Sequence, residues 1–340
     1  MANYDGSHLG SHKSKSRSLI QTAANMVEHC ILVSSRNKRN SIRRLEGRVL
    51  NIAPHRQIDT PFKVIGGGFI ESSNASSQIR AYVAENEHAI VISFRGSKVQ
   101  GNFLKSVDNA LVDVNLRLIR DTNFPGKVHR GFVNDYKVIQ SEIRSRLDST
   151  DFINTGKPVY VTGFSLGAGL ASLCALDLKI RYKSKINIHA YLFAQPAAGD
   201  HDFSRAFSRK LTHVFRFAHV KDVVSQIPHS LVCQYKAPGN KLLVFNNAGD
   251  QVHHNKIKLL LKANRIGALS SISRTLRRTL LSTTIAKMVV SFASVHSPDH
   301  YKKKLVRLHR NYADNINSNS SLLQAAEKQY QECQQHCLDI

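Results

Sequence analysis

The run from Lys157 to Ala171 constrains this chain more than any other stretch. Val159-Tyr160-Val161-Thr162 reads as a β-branched and aromatic strand, Gly163-Phe164-Ser165-Leu166-Gly167 as a turn, and Ala168 onward as a small-residue helix rich in Ala and Leu. A strand that feeds straight into a helix through G-x-S-x-G forms a nucleophile elbow: the turn is so sharp that the serine backbone is strained and its hydroxyl projects from the sheet. Residues 163 and 167 must then lack a Cβ, because a side chain there would meet the neighbouring strand or helix. The helix that follows aims its free N–H groups and positive dipole end at the same point.

A pentapeptide of this form arises by chance in about one chain in ten of this length, so partners in the right chain order must decide. Val214 to Pro228 reads as a buried strand that ends in Asp222 at the start of a loop. Further on, Val295-His296-Ser297-Pro298-Asp299-His300-Tyr301 places a histidine after an apolar run. Ser165, Asp222 and His296 thus follow the order nucleophile, acid, base. His253, His254 and His300 are the other candidate bases. Ala89 to Phe94 is a further apolar strand that stops at Arg95-Gly96-Ser97. The backbone N–H groups of Ser97 and Leu166 are the candidate oxyanion donors.

Taken together these blocks resemble the fungal-type, or class 3, lipase family of the α/β-hydrolase superfamily, over about two-thirds of the chain, from Ile79 to Leu305. The resemblance rests on Ala81-Tyr82-Val83-Ala84 with Phe94-Arg95-Gly96-Ser97, on Val128-His129-Arg130-Gly131-Phe132, and on the elbow from Thr162 to Ala171. It continues through Phe193 to Asp200, Asp222 to Pro228, and His296 to Tyr301. It implies an α/β-hydrolase fold, with a mostly parallel central sheet and helices on both faces. It also implies a serine ester hydrolase acting on glycerolipids or phospholipids, with no metal or cofactor. The chain departs from the family pattern at Phe164, where His is common, at Ala168, where Gly is common, and at Ser106, where an acid is usual.

At 340 residues, one α/β domain with flanks fits better than two domains. The expected division is a basic N-terminal extension (1–60) with a helix near Leu19–Leu32, a hydrolase domain (61–310) and a polar tail (311–340). The Gly66-Gly67-Gly68 triplet is expected to form a hairpin turn. The first twenty residues carry no apolar signal segment, and no run reaches the roughly 18 apolar residues of a membrane span. Of the five Cys, Cys30, Cys174 and Cys233 are scattered and read as buried thiols, and a disulfide scaffold is not expected. These features point to an intracellular, peripherally membrane-associated protein.

Forty-eight Lys plus Arg against 24 acids give a net charge of +24, which attracts polyanions. No nucleic-acid motif accompanies the charge, so an anionic membrane surface is the expected partner. Two amphipathic segments fit such a partner. Val99, Phe103, Val107 and Leu111 recur at helical spacing where a lid would lie. Lys256–Met288 carries eight cations and no acid among helically spaced apolar residues, the pattern of an interfacial helix. Cys333 and Cys337 lack a second ligand pair, so no metal site is expected there.

Overall fold

The computed structural model describes residues 7–46, 61–72, 79–96, 117–219, 222–226, 235–239, 241–245 and 295–314. Helices α1 (Ser7–Ser34) and α2 (Lys38–Glu46) lead into strands β1 (Lys63–Val64), β2 (Ile70–Glu71), β3 (Arg80–Glu85) and β4 (Ile90–Phe94). Strands β5 (Leu118–Asp121) and β6 (Phe124–His129) precede α3 (Arg130–Asp148), the single turn α4 (Phe152–Thr155), β7 (Val159–Phe164) and α5 (Leu166–Tyr182). Next come β8 (Ile188–Phe193), β9 (Gly199–Asp200), α6 (His201–Lys210) and β10 (His213–His219). Strands β11 (Tyr235–Lys236) and β12 (Lys241–Phe245) and helix α7 (Pro298–Asp314) complete the described elements.

The main sheet has the order β1-β3-β4-β7-β8-β10-β12, with β2 also on β3. From β4 to β12 every pairing is parallel, and the antiparallel pairings lie at the β3 end. The inner strands are apolar on both faces, as a parallel sheet with two helical layers requires. In β4, Ile90, Ile92 and Phe94 enter one core while Val91 enters the other. Each large aliphatic side chain so buried contributes roughly 1.5–3 kcal/mol relative to exposure. A second, antiparallel sheet runs β11-β9-β6-β5.

The expected hairpin at Gly66–Gly68 is not what forms. Strands β1 and β2 both pair with β3 in the same sense, Val64 opposite Ala84 and Ile70 opposite Ala81. They are two pieces of one edge strand, and a short 3₁₀ turn at Ile65–Gly67 makes the excursion between them. Gly66 and Gly67 supply its positive φ angles of 75° and 72°, which side-chain-bearing residues adopt only with strain.

Helices α3, α5 and α6 cover one face of the main sheet. Residues Gly167 to Leu178 of α5 are all buried, so this helix is apolar around its whole circumference, as a central core helix must be. Its one buried acid, Asp177, accepts from the Tyr136 hydroxyl at 2.7 Å and from Arg144 of α3. Cys174 is a buried free thiol on this face.

The opposite face is covered by α1 and α7. The helix expected near Leu19–Leu32 is longer than that. Ile20, Ala23, Ala24, Val27 and Cys30 pack in one core with Tyr82, Tyr160, Phe193 and Phe217 of the sheet and with Tyr301 and Leu305 of α7. Buried Glu28 ties the layer together, accepting from Arg44 of α2 and, at 2.6 Å, from Lys302 of α7. Among the described residues no helix is long and apolar enough to cross a membrane.

Candidate active site

The elbow forms where β7 meets α5. Ser165 has φ 56° and ψ −126°, a region that costs a non-glycine residue on the order of 1–3 kcal/mol. The surrounding backbone holds it there: the Ser165 N–H donates to Phe193 O at 2.9 Å, and its carbonyl accepts from Ala168 N at 2.9 Å. A Cβ on Gly163 would lie 2.2 Å from Gly167 O, and one on Gly167 would lie 2.5 Å from Phe94 O. Both positions therefore exclude any side chain. Leu166 follows Ser165 directly as the first residue of α5, so its N–H has no acceptor within the helix.

Asp222 and His296 arrive from separate segments. Asp222 lies three residues past β10, its N–H bonded to His219 O at 2.8 Å. His296 lies two residues before α7. Its Nδ1 is 2.7 Å from Asp222 Oδ2 and its Nε2 is 2.9 Å from Ser165 Oγ. A carboxylate only accepts, so Nδ1 carries the proton and Nε2 faces the serine as the acceptor. Ser165, His296 and Asp222 are 5%, 4% and 0% exposed, so the series is largely sheltered from water.

The carboxylate of Asp222 is further fixed from two sides. Val224 N–H donates to Oδ1 at 3.1 Å, and the Tyr301 hydroxyl donates to Oδ2 at 2.8 Å. That hydroxyl itself accepts from His219 N–H at 2.9 Å. Burial, reinforced by the neighbouring Asp222 charge, pushes the Tyr301 pKa well above its ordinary value, so the phenol stays protonated and keeps donating. The Phe164 ring packs against the imidazole of His296 at 4.7 Å and edge-on to Tyr301 at 5.3 Å, restricting the tilt of both.

His300, an alternative base in sequence, sits one helical turn further on. Its ring stands edge-on to His219 at 5.1 Å, and its backbone N–H is bonded to Ser297 Oγ at 3.1 Å. His296 is the histidine beside Ser165. Ser97, the Val99–Leu111 segment, Cys233, His253, His254, Lys256–Met288 and the Cys333/Cys337 pair lie outside the described residues. Among the described residues no group of three or more His, Cys, Asp or Glu side chains is placed to hold a metal ion. The partners that sequence reasoning missed are Tyr301 and Phe164. Their spacing from His296 and Ser165 was legible, but the shared contact was not.

A parallel sheet flanked by helices, with an elbow serine at the end of a central strand, defines an α/β-hydrolase fold. The family model described as lipase (class 3) matches residues 91–232. The chain is similar to that family over this stretch. It is 34% identical over 147 residues to a lipase of Rhizomucor miehei, covering 42% of this chain and 39% of that one. It is 27% identical over 154 residues to the phospholipase A(1) DAD1 of Arabidopsis thaliana, covering 41% and 33%. The chain thus spans less than half the length of these curated relatives. Lipase II from Rhizopus niveus superposes with a TM-score of 0.53 at 20% identity, over 67% of this chain and 80% of that structure, which shows a common fold.

Proposed function

We propose that this chain is a serine carboxylic-ester hydrolase that cleaves acyl esters of glycerolipids. The observation that carries the reading is the buried hydrogen-bonded series from Ser165 Oγ through His296 to Asp222, at 2.9 and 2.7 Å. Ser165 attacks the acyl carbonyl while His296 Nε2 takes its proton, a general-base contribution of about 10²–10⁴ in rate. Asp222 holds the tautomer and stabilises the imidazolium. The N–H of Leu166, with that of Ser97 as second donor, holds the tetrahedral oxyanion, where each donor contributes about 10²–10³. His296 then returns the proton to the leaving alcohol, and water, activated by the same imidazole, hydrolyses the acyl-serine.

A phospholipase A1-type specificity is the second reading, favoured by the relative named phospholipase A(1). The relative named simply lipase keeps the first in front. Hydrolysis of tri- and diacylglycerol and of neutral and acidic phospholipids, by wild type and Ser165→Ala, tests both. We expect loss of all hydrolysis in Ser165→Ala and labelling of wild type alone by a fluorophosphonate. Turnover that survives in the variant would refute the mechanism. Labelling without turnover on any ester would favour a lipid- or protein-binding role instead.

A further inference from the structure

Several exposed basic residues stand at the edge of the main sheet that carries the ester site. Arg80 opens β3, and its carbonyl accepts from Arg95 N at 2.9 Å. Arg95 O in turn lies against Gly167 at the elbow. The Arg80 guanidinium donates to Ser35 O at 2.7 Å. The end of α1 and the start of α2 therefore stand at the edge of the sheet that carries Ser165. Helix α7 starts at that edge too, because His296 just before it and Tyr301 in its first turn reach Ser165 and Asp222.

Glu28 of α1 links α2 and α7 through their side chains, since its carboxylate binds Arg44 of one and Lys302 of the other. The exposed cations beside them are Arg36 just before α2, Lys38 and Arg39 in its first turn, Arg43 further along it, and Lys303 of α7. Lys38 shares Glu71 with Arg80; among the described residues no carboxylate forms an ion pair with Arg36, Arg39, Arg43 or Lys303. The chain carries +24 overall, and Arg36, Lys38 and Arg39 bring charge to the rim of the sheet edge that carries Ser165.

We infer that the rim formed by the start of α2 and the first turns of α7 docks the enzyme on an anionic phospholipid bilayer, with Ser165 turned toward the lipid. This rests on the ester-hydrolase reading and names the surface at which it operates. Each cation held near such a surface adds favourable attraction that salt screens. The rim frames the ester site, whose substrates reside in a bilayer, and that favours lipid over nucleic acid.

Net charge alone would make any basic face bind, so the test compares two faces at equal charge. Helix α5 runs about 25 Å from the elbow to its far end. Lys185 just beyond it, and Arg209 and Lys210 at the end of α6, are exposed on the opposite edge of the sheet. The triple variant Arg36→Gln, Arg39→Gln, Lys303→Gln is set against Lys185→Gln, Arg209→Gln, Lys210→Gln. Sedimentation with phosphatidylserine/phosphatidylcholine vesicles at low salt reads docking. Phospholipid hydrolysis in the same vesicles, divided by the rate on a soluble short-chain ester, reads its use in catalysis.

We expect about tenfold weaker binding and a matching fall in the rate ratio for the rim variant only. Equal losses in both variants, or in neither, would overturn the inference. So would a rim variant that loses binding to duplex or single-stranded DNA but not to vesicles. Failure of wild type on the soluble ester would instead refute the hydrolase reading, leaving vesicle binding to judge the docking face by itself.

Discussion

Tyr301 and His296, five residues apart in sequence, share a single oxygen of Asp222: the phenol donates to Oδ2 at 2.8 Å and the imidazole at 2.7 Å. The hydroxyl also accepts from His219 N–H, so it links the end of β10 to the start of α7. Tyr301→Phe removes the donor to Asp222 and leaves the buried His219 N–H without its acceptor. Stability should fall by about 1–3 kcal/mol. The carboxylate, free to rotate, should orient His296 less well. We expect kcat on a soluble ester to drop about tenfold with KM little changed. Steady-state kinetics beside urea unfolding will separate the two effects; an unaltered kcat would mean that the phenol only braces the fold.

Gly163→Ala tests the elbow itself. The added Cβ would lie 2.2 Å from Gly167 O and 2.7 Å from Ala168 N. These are backbone atoms at the start of α5 and cannot swing away as a flexible side chain would. Overpacking of this kind costs about 3 kcal/mol, and any relief must shift α5 away from β7, carrying the Leu166 N–H with it. Fluorophosphonate labelling of Ser165 should slow even in molecules that remain folded, as circular dichroism and labelling rates together will show.

Much of this site was readable before any coordinates. A strand, a glycine-flanked serine and a small-residue helix are contiguous, so local steric rules suffice to place Ser165 and to forbid side chains at 163 and 167. The chain order of Asp222 and His296 was likewise legible. The side-by-side contact of Tyr301, Phe164 and His296 was not, because it depends on how α7 crosses the sheet, which no local pattern encodes. Helix α1 shows the same limit. Its Ser- and Arg-rich surroundings read as an extension, yet the residues from Ile20 to Cys30 form one of the two helical layers, gathered by burial against Tyr82, Tyr160 and Tyr301. The Gly66–Gly68 triplet signalled a turn correctly, while register with β3, a tertiary property, made it an interruption of one edge strand.

The face under α1 should also make the protein sensitive to acid. His29 is fully buried, its Nδ1 2.6 Å from the Tyr82 hydroxyl, and burial pushes its pKa down to about 3. His189 is pushed down to about 3 by burial and by the adjacent His213. The unfolded chain protonates these groups near pH 6.5, while the fold refuses the proton until about pH 3. Between those values the unfolded state binds more protons, so stability rises with pH. It is fully present above about 6.5 and is lost as pH falls through the window. Each histidine should contribute a slope of about 1 kcal/mol per pH unit. Urea unfolding at pH 5 and pH 7.5 should show a smaller difference for His29→Phe than for wild type. An identical difference would place the acid sensitivity elsewhere.

The Asp177 cluster separates stability from catalysis. Asp177 sits eleven residues into α5 from Leu166, about 16 Å along the helix, and joins Tyr136 and Arg144 of α3 to it. In Asp177→Ala the two partners fare differently. Arg144 is one-quarter exposed, so water can take up its guanidinium, and little of the loss should come from it. Tyr136 is fully buried, so its hydroxyl is stranded on the weak acceptor that the Cys174 sulfur provides. We expect Asp177→Ala to cost about 3 kcal/mol, with kcat per folded molecule unchanged. Tyr136→Phe, which removes the stranded group, should cost about 1 kcal/mol alone. Combined with Asp177→Ala it should bring the total well below the sum of the two, because the polar group that suffers from losing Asp177 is no longer there. Urea unfolding of the two single variants and the double variant measures this coupling. Strict additivity would assign the loss to Arg144 instead.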